Sequence, residues 1–212
     1  MLGLIKKDFL LIKANSNSKS IIIIFLIYLM MAFQGIFDVT FIVPLIGIIM
    51  FITTFSYDDF NNWNSYAVTL PDGRKNVVKA KYVASIILIF ILGIIAFLIS
   101  MGISYIKTNG INLEETISSL IGTILSSIIM ISFLYPIMFK FGATNGRIIL
   151  FAVVFVIAGI VTLIAKFTDM TAFMNMINEL DKYLYIVIPI VLIILLGISY
   201  LISNKIYQNK EF

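Results

Sequence analysis

The segment YVASIILIFILGIIAFLISMGISYI, residues 82–106, runs for 25 residues without an Asp, Glu, Lys or Arg. A helix needs about 20 apolar residues to cross the roughly 30 Å hydrocarbon core of a bilayer. Five further uncharged apolar segments accompany it, at residues 20–37, 39–56, 117–139, 148–165 and 183–204. The sequence therefore predicts an all-α integral membrane protein whose six transmembrane helices form a single domain over residues 1–212.

The composition of the 212-residue chain agrees with lipid as its main solvent. Hydrophobic residues make up 61% of the chain and charged residues only 12%, about half the charged share of a soluble protein. Such a chain has too little polar surface for a soluble enzyme, a nucleic-acid-binding protein or a disordered tail. The sequence also contains no Cys and no His, so we expect no metal site and no catalytic residues.

The basic residues predict the orientation in the membrane. Twelve of the 15 lie before the first span, in the second-to-third and fourth-to-fifth connections and in the C-terminal tail. Because Lys and Arg are enriched in cytoplasmic segments, both termini and residues 57–81 are expected in the cytoplasm. The abundance of Ile and the excess of Lys over Arg are typical of a low-GC bacterium, and we expect a multi-pass protein of its plasma membrane.

Residues 1–14 predict a helix beside the membrane. Their lysines lie off a face formed at helical spacing by Leu2, Ile5, Phe9 and Ile12. A helix with one apolar and one basic face is typical of segments that lie on a membrane surface. A simple basic anchor for the first span is the alternative.

The longest predicted cytoplasmic segment is YDDFNNWNSYAVTLPDGRKNVVKAK, residues 57–81. Its apolar residues Phe60, Trp63, Ala67 and Leu70 have the spacing of one helix face, and its two leading aspartates are expected to be solvated. Pro71 to Gly73 predict a turn, after which a second helix continues into the third span. An exposed aromatic helix contacts either a partner protein or the membrane interface, and the pattern leaves both possibilities open.

The predicted spans carry no charged residue with which to bind a coupling ion. Ion-driven carriers usually place such residues within the membrane, and no P-loop of the form GxxxxGK[ST] occurs in the chain. Energy for any transport would therefore come from another polypeptide. The fourth span carries hydroxyl groups that either allow close helix packing or line a path for an amphipathic substrate, at Ser119, Thr123, Ser126 and Ser127.

The segment from Tyr57 to Tyr82 has the form Y-D-D-x-N-x-W-x-x-Y-x-x-x-L-P-x-x-R-K-x-x-V-x-x-K-Y. With six spans and cytoplasmic termini, it resembles the ABC-2-type transporter permeases, and in particular small permeases similar to exporters of phenol-soluble modulins. The resemblance implies a second permease, the same or homologous, and two ABC ATPase subunits that bind ATP and magnesium. This chain would bind no cofactor.

The resemblance also implies a coupling helix between spans two and three that docks on the ATPase. The residues expected on its surface are Asp58, Asp59, Phe60, Asn61, Trp63, Tyr66, Leu70 and Arg74. The short connection at residues 140–147 would be a secondary contact.

Three functions follow from these observations. The first is a permease that exports amphipathic or antimicrobial peptides, or other lipophilic compounds, with energy from a separate ATPase. The second is a membrane-embedded immunity or interaction protein that binds a peptide without transporting it. A gradient-driven carrier ranks third, because the spans lack charge.

Overall fold

Helices are the only regular elements in the part of the chain that the computed structural model describes, namely residues 1–15, 26, 30, 39–108, 113–167 and 170–211. The prediction of an all-α protein is confirmed for these residues. In chain order the helices are α1 (Leu2–Asn15), α2 (Val39–Phe60), α3 (Trp63–Ala67), α4 (Gly73–Thr108), α5 (Leu113–Phe167) and α6 (Met170–Gln208). The predicted first span, residues 20–37, lies almost wholly outside the described residues.

Three of these helices contain segments that are long and apolar enough to cross a membrane, by length and composition: Gly73–Ile106, Thr116–Ile149 and Val187–Gln208. They include the third, fourth and most of the sixth predicted spans. The second predicted span lies in α2 and the fifth in the second half of α5. Six membrane crossings remain a prediction.

Helix α5 is broken at Gly142, where φ is 77° and ψ is 176°. This conformation is essentially restricted to glycine, so the residue type explains where the break falls. The two halves, residues 113–141 and 143–167, correspond to separate helices that meet at this point. The break lies within the short connection that the sequence predicts between spans four and five.

The connection between α2 and α4 differs from the predicted single amphipathic helix. Asn62 adopts the left-handed conformation, with φ of 51°, and separates α2 from the five-residue helix α3. Phe60 is 83% exposed whereas Ala67 is completely buried, so these two residues do not share a face. The prediction of one continuous face is wrong because the backbone turns at Asn62.

The predicted turn after α3 is confirmed. Asp72 has a positive φ of 52°, and α4 begins at the next residue. A Cβ atom at Gly73 would lie 1.9 Å from the carbonyl oxygen of Ala67, so only glycine allows this close approach. The chain thus turns tightly from α3 into the long apolar helix.

An aromatic cluster joins α2, α4, α5 and α6. The Phe55 ring meets Tyr135 at 5.3 Å between centroids, and Tyr82 meets the same Tyr135 ring at 4.8 Å, both edge to face. Phe139 contacts Tyr207 in the same manner at 5.4 Å. Such arrangements are favourable for aromatic rings, and they hold four helices together at the end of the bundle where the polar residues lie.

Helix α1 packs against this bundle. Ile5, Phe9 and Ile12 contact the cluster that contains Phe51 and Leu88. Three residues of the face that the sequence assigned to the lipid surface therefore pack against protein. The position of α1 relative to a membrane remains a prediction.

Candidate functional site

Four charged side chains from three helices form a network at the polar end of the bundle, in which Lys81, Asp58 and Asp8 are buried and Lys7 is half-buried. Lys81 on α4 lies 2.6 Å from Asp58 on α2 and 3.1 Å from Asp8 on α1. Lys7 lies 2.6 Å from Asp58 and 3.3 Å from Asp8. Lys81 also donates a hydrogen bond of 3.0 Å to the hydroxyl of Thr54. Two cations and two anions balance each other, which makes their burial tolerable.

The expectation that Asp58 is solvated is wrong. The residue is only 4% exposed because both of its oxygens are ion-paired within the chain. One partner lies 51 residues away, so no local pattern connects them. The available signal was Asp8, the only acidic residue in a helix that otherwise carries lysines.

Asp59 points to a different partner, the break in α5. Its Oδ2 accepts a 2.7 Å hydrogen bond from the backbone N–H of Ala143, the first residue after the break. Its Oδ1 accepts a 3.1 Å bond from the side-chain amide of Asn64 on α3. Since a carboxylate at a helix N-terminus satisfies an otherwise unpaired N–H, Asp59 caps the second half of α5 from another helix.

The end of α6 is held in the same region. The Tyr207 hydroxyl donates a 2.9 Å hydrogen bond to the side-chain oxygen of Asn64. The guanidinium of Arg74 donates to the backbone carbonyls of Tyr207, Gln208 and Lys210. A cation at a helix C-terminus satisfies carbonyls that lack partners, so Arg74 caps α6 from the start of α4.

The eight residues predicted for the coupling surface divide into three groups. Three are exposed, namely Phe60 at 83%, Tyr66 at 57% and Asn61. Trp63 and Leu70 are half-buried, and the Lys7 ammonium lies 4.6 Å from the centre of the Trp63 ring. The remaining three make contacts within the chain: Asp58, Asp59 and Arg74. The structure brings the eight together at one end of the bundle, and their contact with an ATPase stays a prediction.

The four hydroxyl residues predicted for a substrate path are satisfied by their own helix. Each donates to a backbone carbonyl three or four residues earlier. Thr123 and Ser127 are buried whereas Ser126 is exposed and Ser119 is half-buried. Their spacing places them along one side of α5, and a substrate path along them stays a prediction.

The comparisons with known proteins identify the class to which this bundle belongs. The chain matches the model of a family described as ABC-2 family transporter protein over residues 3–208. It therefore belongs to that family, and the resemblance to ABC-2-type permeases is confirmed at the level of the family, whereas the likeness to exporters of phenol-soluble modulins stays a prediction. No curated protein and no solved structure matches the chain. Membership of this family indicates that the chain is the membrane-embedded permease of an ABC transporter.

Proposed function

We propose that this chain is the permease subunit of an ATP-driven exporter in a bacterial plasma membrane, with both termini in the cytoplasm. Energy comes from a separate ABC ATPase that binds ATP and magnesium. Family membership supports this assignment, as does the lack of charged residues in the predicted spans and of a P-loop in the chain. The complete transporter contains two permeases and two ATPase subunits.

The observation that carries the proposal is that exposed aromatic residues lie directly beside residues whose side chains bond to other helices. Phe60 and Tyr66 present their side chains outward, and large aromatic side chains are frequent energetic centres of protein interfaces. Directly before Phe60, the side chains of Asp58 and Asp59 are fixed to other helices. A displacement applied at Phe60 is therefore transmitted to the bundle.

The substrate is an amphipathic peptide or another lipophilic compound. The predicted spans offer apolar side chains and hydroxyl groups, with no fixed charge to bind an ion. Such a lining suits a molecule that already partitions into membranes. Ser119, Thr123, Ser126 and Ser127 of α5 are the residues we propose for the path.

Co-purification and transport test this function. The tagged permease is co-expressed with ABC ATPases of the same organism, and ATP-dependent uptake of a labelled amphipathic peptide is measured in inverted vesicles. We expect the Phe60→Ala, Tyr66→Ala double variant to lose most ATPase co-purification and most transport. Phe133→Ala is the matched control, since Phe133 is 61% exposed within a candidate span and should leave co-purification unchanged.

Two outcomes would contradict the proposal. Co-purification and transport that survive the double variant would show that the ATPase does not dock on these side chains. Protection against a peptide that persists in cells lacking every candidate ATPase would favour the immunity protein that does not transport.

A further inference from the structure

At the break in α5, two backbone groups that would bond to each other in a continuous helix each have a different partner. In a continuous helix the N–H of Ala143 would donate to the carbonyl of Phe139, four residues earlier. Here the Ala143 N–H donates to Asp59 at 2.7 Å, and the Phe139 carbonyl accepts from the Lys210 ammonium at 3.0 Å. The two halves of α5 are thus held by different parts of the chain.

The residue at the break cannot supply a cap of its own. Gly142 has no side chain, and a Cβ atom there would lie 3.1 Å from Oδ2 of Asp59. Both the positive φ and the close approach of the Asp59 carboxylate therefore favour glycine at this position. The cap must come from a distant residue, and Asp59 reaches it from 84 positions earlier in the chain.

The position of Asp59 places this cap beside the exposed aromatic residues. Its backbone adjoins Phe60, and its second oxygen accepts from Asn64 in α3 at 3.1 Å. Asn64 in turn accepts from Tyr207 near the end of α6. The Asp59 carboxylate therefore contacts both the α2–α4 connection, defined as residues 61–72, and the first residue of the helix that follows the break.

We propose that Asp59 is a positioning residue that makes the second half of α5, residues 143–167, move with the α2–α4 connection. The first half is joined to that connection by a longer route, from Phe139 to Lys210 and from Tyr207 to Asn64. Because the helix is interrupted at the positive-φ Gly142, the two halves can change their relative angle there. This inference rests on the proposed function, in which the ATPase supplies the movement.

The test measures coupling efficiency, the number of peptides transported per ATP hydrolysed, in the reconstituted permease–ATPase complex. Asp59→Ala removes both acceptors, and we expect the ratio to fall at least tenfold. Asp59→Asn keeps an acceptor for the Ala143 N–H, as asparagine is an equally good N-terminal cap, and should restore most of the ratio. Asp72→Asn, an exposed carboxylate in the same connection, is the matched control and should not change it.

A second measurement follows the movement itself. Since the chain contains no cysteine, a cysteine pair at Asn61 and Thr144, both exposed, takes two spin labels without background labelling. With Asp59 present, we expect the distance between the labels to stay the same in nucleotide-free and ATP-bound complexes. With Asp59→Ala it should change by several ångströms between the two states.

Gly142→Ala serves as a second variant if Asp59→Ala does not fold, because it displaces the carboxylate while Asp59 remains. An unchanged coupling ratio in Asp59→Ala or in Gly142→Ala would overturn the inference. Equal loss in the Asn and Ala variants, with transport and ATP hydrolysis falling in parallel, would also overturn it. Failure of the wild-type chain to bind any ATPase would instead refute the proposed function, while the label distances of the permease alone would still report whether Asp59 fixes the two segments.

Discussion

The carboxylate of Asp58 lies 2.6 Å from the ammonium of Lys81, and both side chains are at least 95% buried. This ion pair joins the end of α2 to the first part of α4, immediately before the aromatic core. Asp8 and Lys7 extend it to α1. These ion pairs therefore join α1, α2 and α4 next to the residues that we propose bind the ATPase.

Replacing Lys81 with Met should strongly destabilise the protein. The change leaves Asp8 and Asp58 buried with only Lys7 to balance them, and removal of one member of a buried ion pair costs about 3–5 kcal/mol. The free energy of unfolding in detergent, measured by denaturant titration, checks this. Lys79→Met is the control, because Lys79 is exposed on the same helix and should change the value by no more than about 0.5 kcal/mol. Equal losses in the two variants would contradict a role for the buried network.

Replacing Arg74 with Ala should loosen the end of α6. Three backbone carbonyls lose their cationic donor, and hydrogen bonds to charged groups contribute about 1.5–3 kcal/mol. We expect faster hydrogen exchange of the backbone amides at residues 204–208. All three bonds come from one guanidinium nitrogen, Nη1, and a Lys ammonium also carries three N–H donors, so Arg74→Lys should restore much of the protection. Lys75→Ala alters the neighbouring exposed residue and should leave the exchange unchanged; faster exchange there would argue against capping by Arg74.

Replacing Gly142 with Ala should destabilise the protein by about 1–3 kcal/mol, because alanine is strained at this φ and ψ and its Cβ approaches Asp59. Thermal unfolding of the purified protein measures the effect. Gly102→Ala is the opposite case, since nothing lies within 4 Å of a Cβ there. Alanine in that helical position should stabilise the protein by about 0.5–1 kcal/mol. The same response at both glycines would show that the break does not depend on the residue type.

Replacing Tyr82 with Phe should weaken the contact between α4 and α6. The Tyr82 hydroxyl lies 2.6 Å from that of Ser199 and 2.9 Å from that of Ser203. A hydrogen bond between membrane helices contributes about 0.6 kcal/mol on average and up to about 1.7 kcal/mol. The change in the free energy of unfolding should fall within that range. Tyr105→Phe removes a hydroxyl from a residue that is 62% exposed, and a comparable loss there would contradict the assignment.

The local sequence predicts some of the helices and their ends better than others. The long uncharged segment at residues 82–106 predicts most of α4, and Pro71 with Gly73 predicts the turn before it, because both signals are contained in a few adjacent residues. The backbone reversal at Asn62 is not predictable from apolar spacing. Asparagine adopts the left-handed conformation readily, but the residue type alone does not require it.

The sequence predicts which segment contains the candidate site, but it does not predict which contacts the side chains of that segment make. The sequence located residues 57–82 through their resemblance to a family pattern; the match over residues 3–208 confirms the family, and the role of this segment stays a prediction. The partners of Asp58 and Asp59 lie on helices far along the chain, where only the folded structure brings them together. For that reason the sequence assigned both aspartates to an exposed surface, whereas in the structure Asp58 is buried and Asp59 is half-buried.

The separation of Asp8 and Lys81 also has a consequence for biogenesis. The lysine lies 73 residues after its partner, so the ribosome completes α1 long before the cation that holds it exists. The Lys7–Asp58 contact with α2 becomes possible earlier, but the contact between Asp8 and Lys81 can form only after the first turns of α4 emerge. The order of synthesis therefore means that the early segments can insert before the ion pairs at the polar end of the bundle are complete.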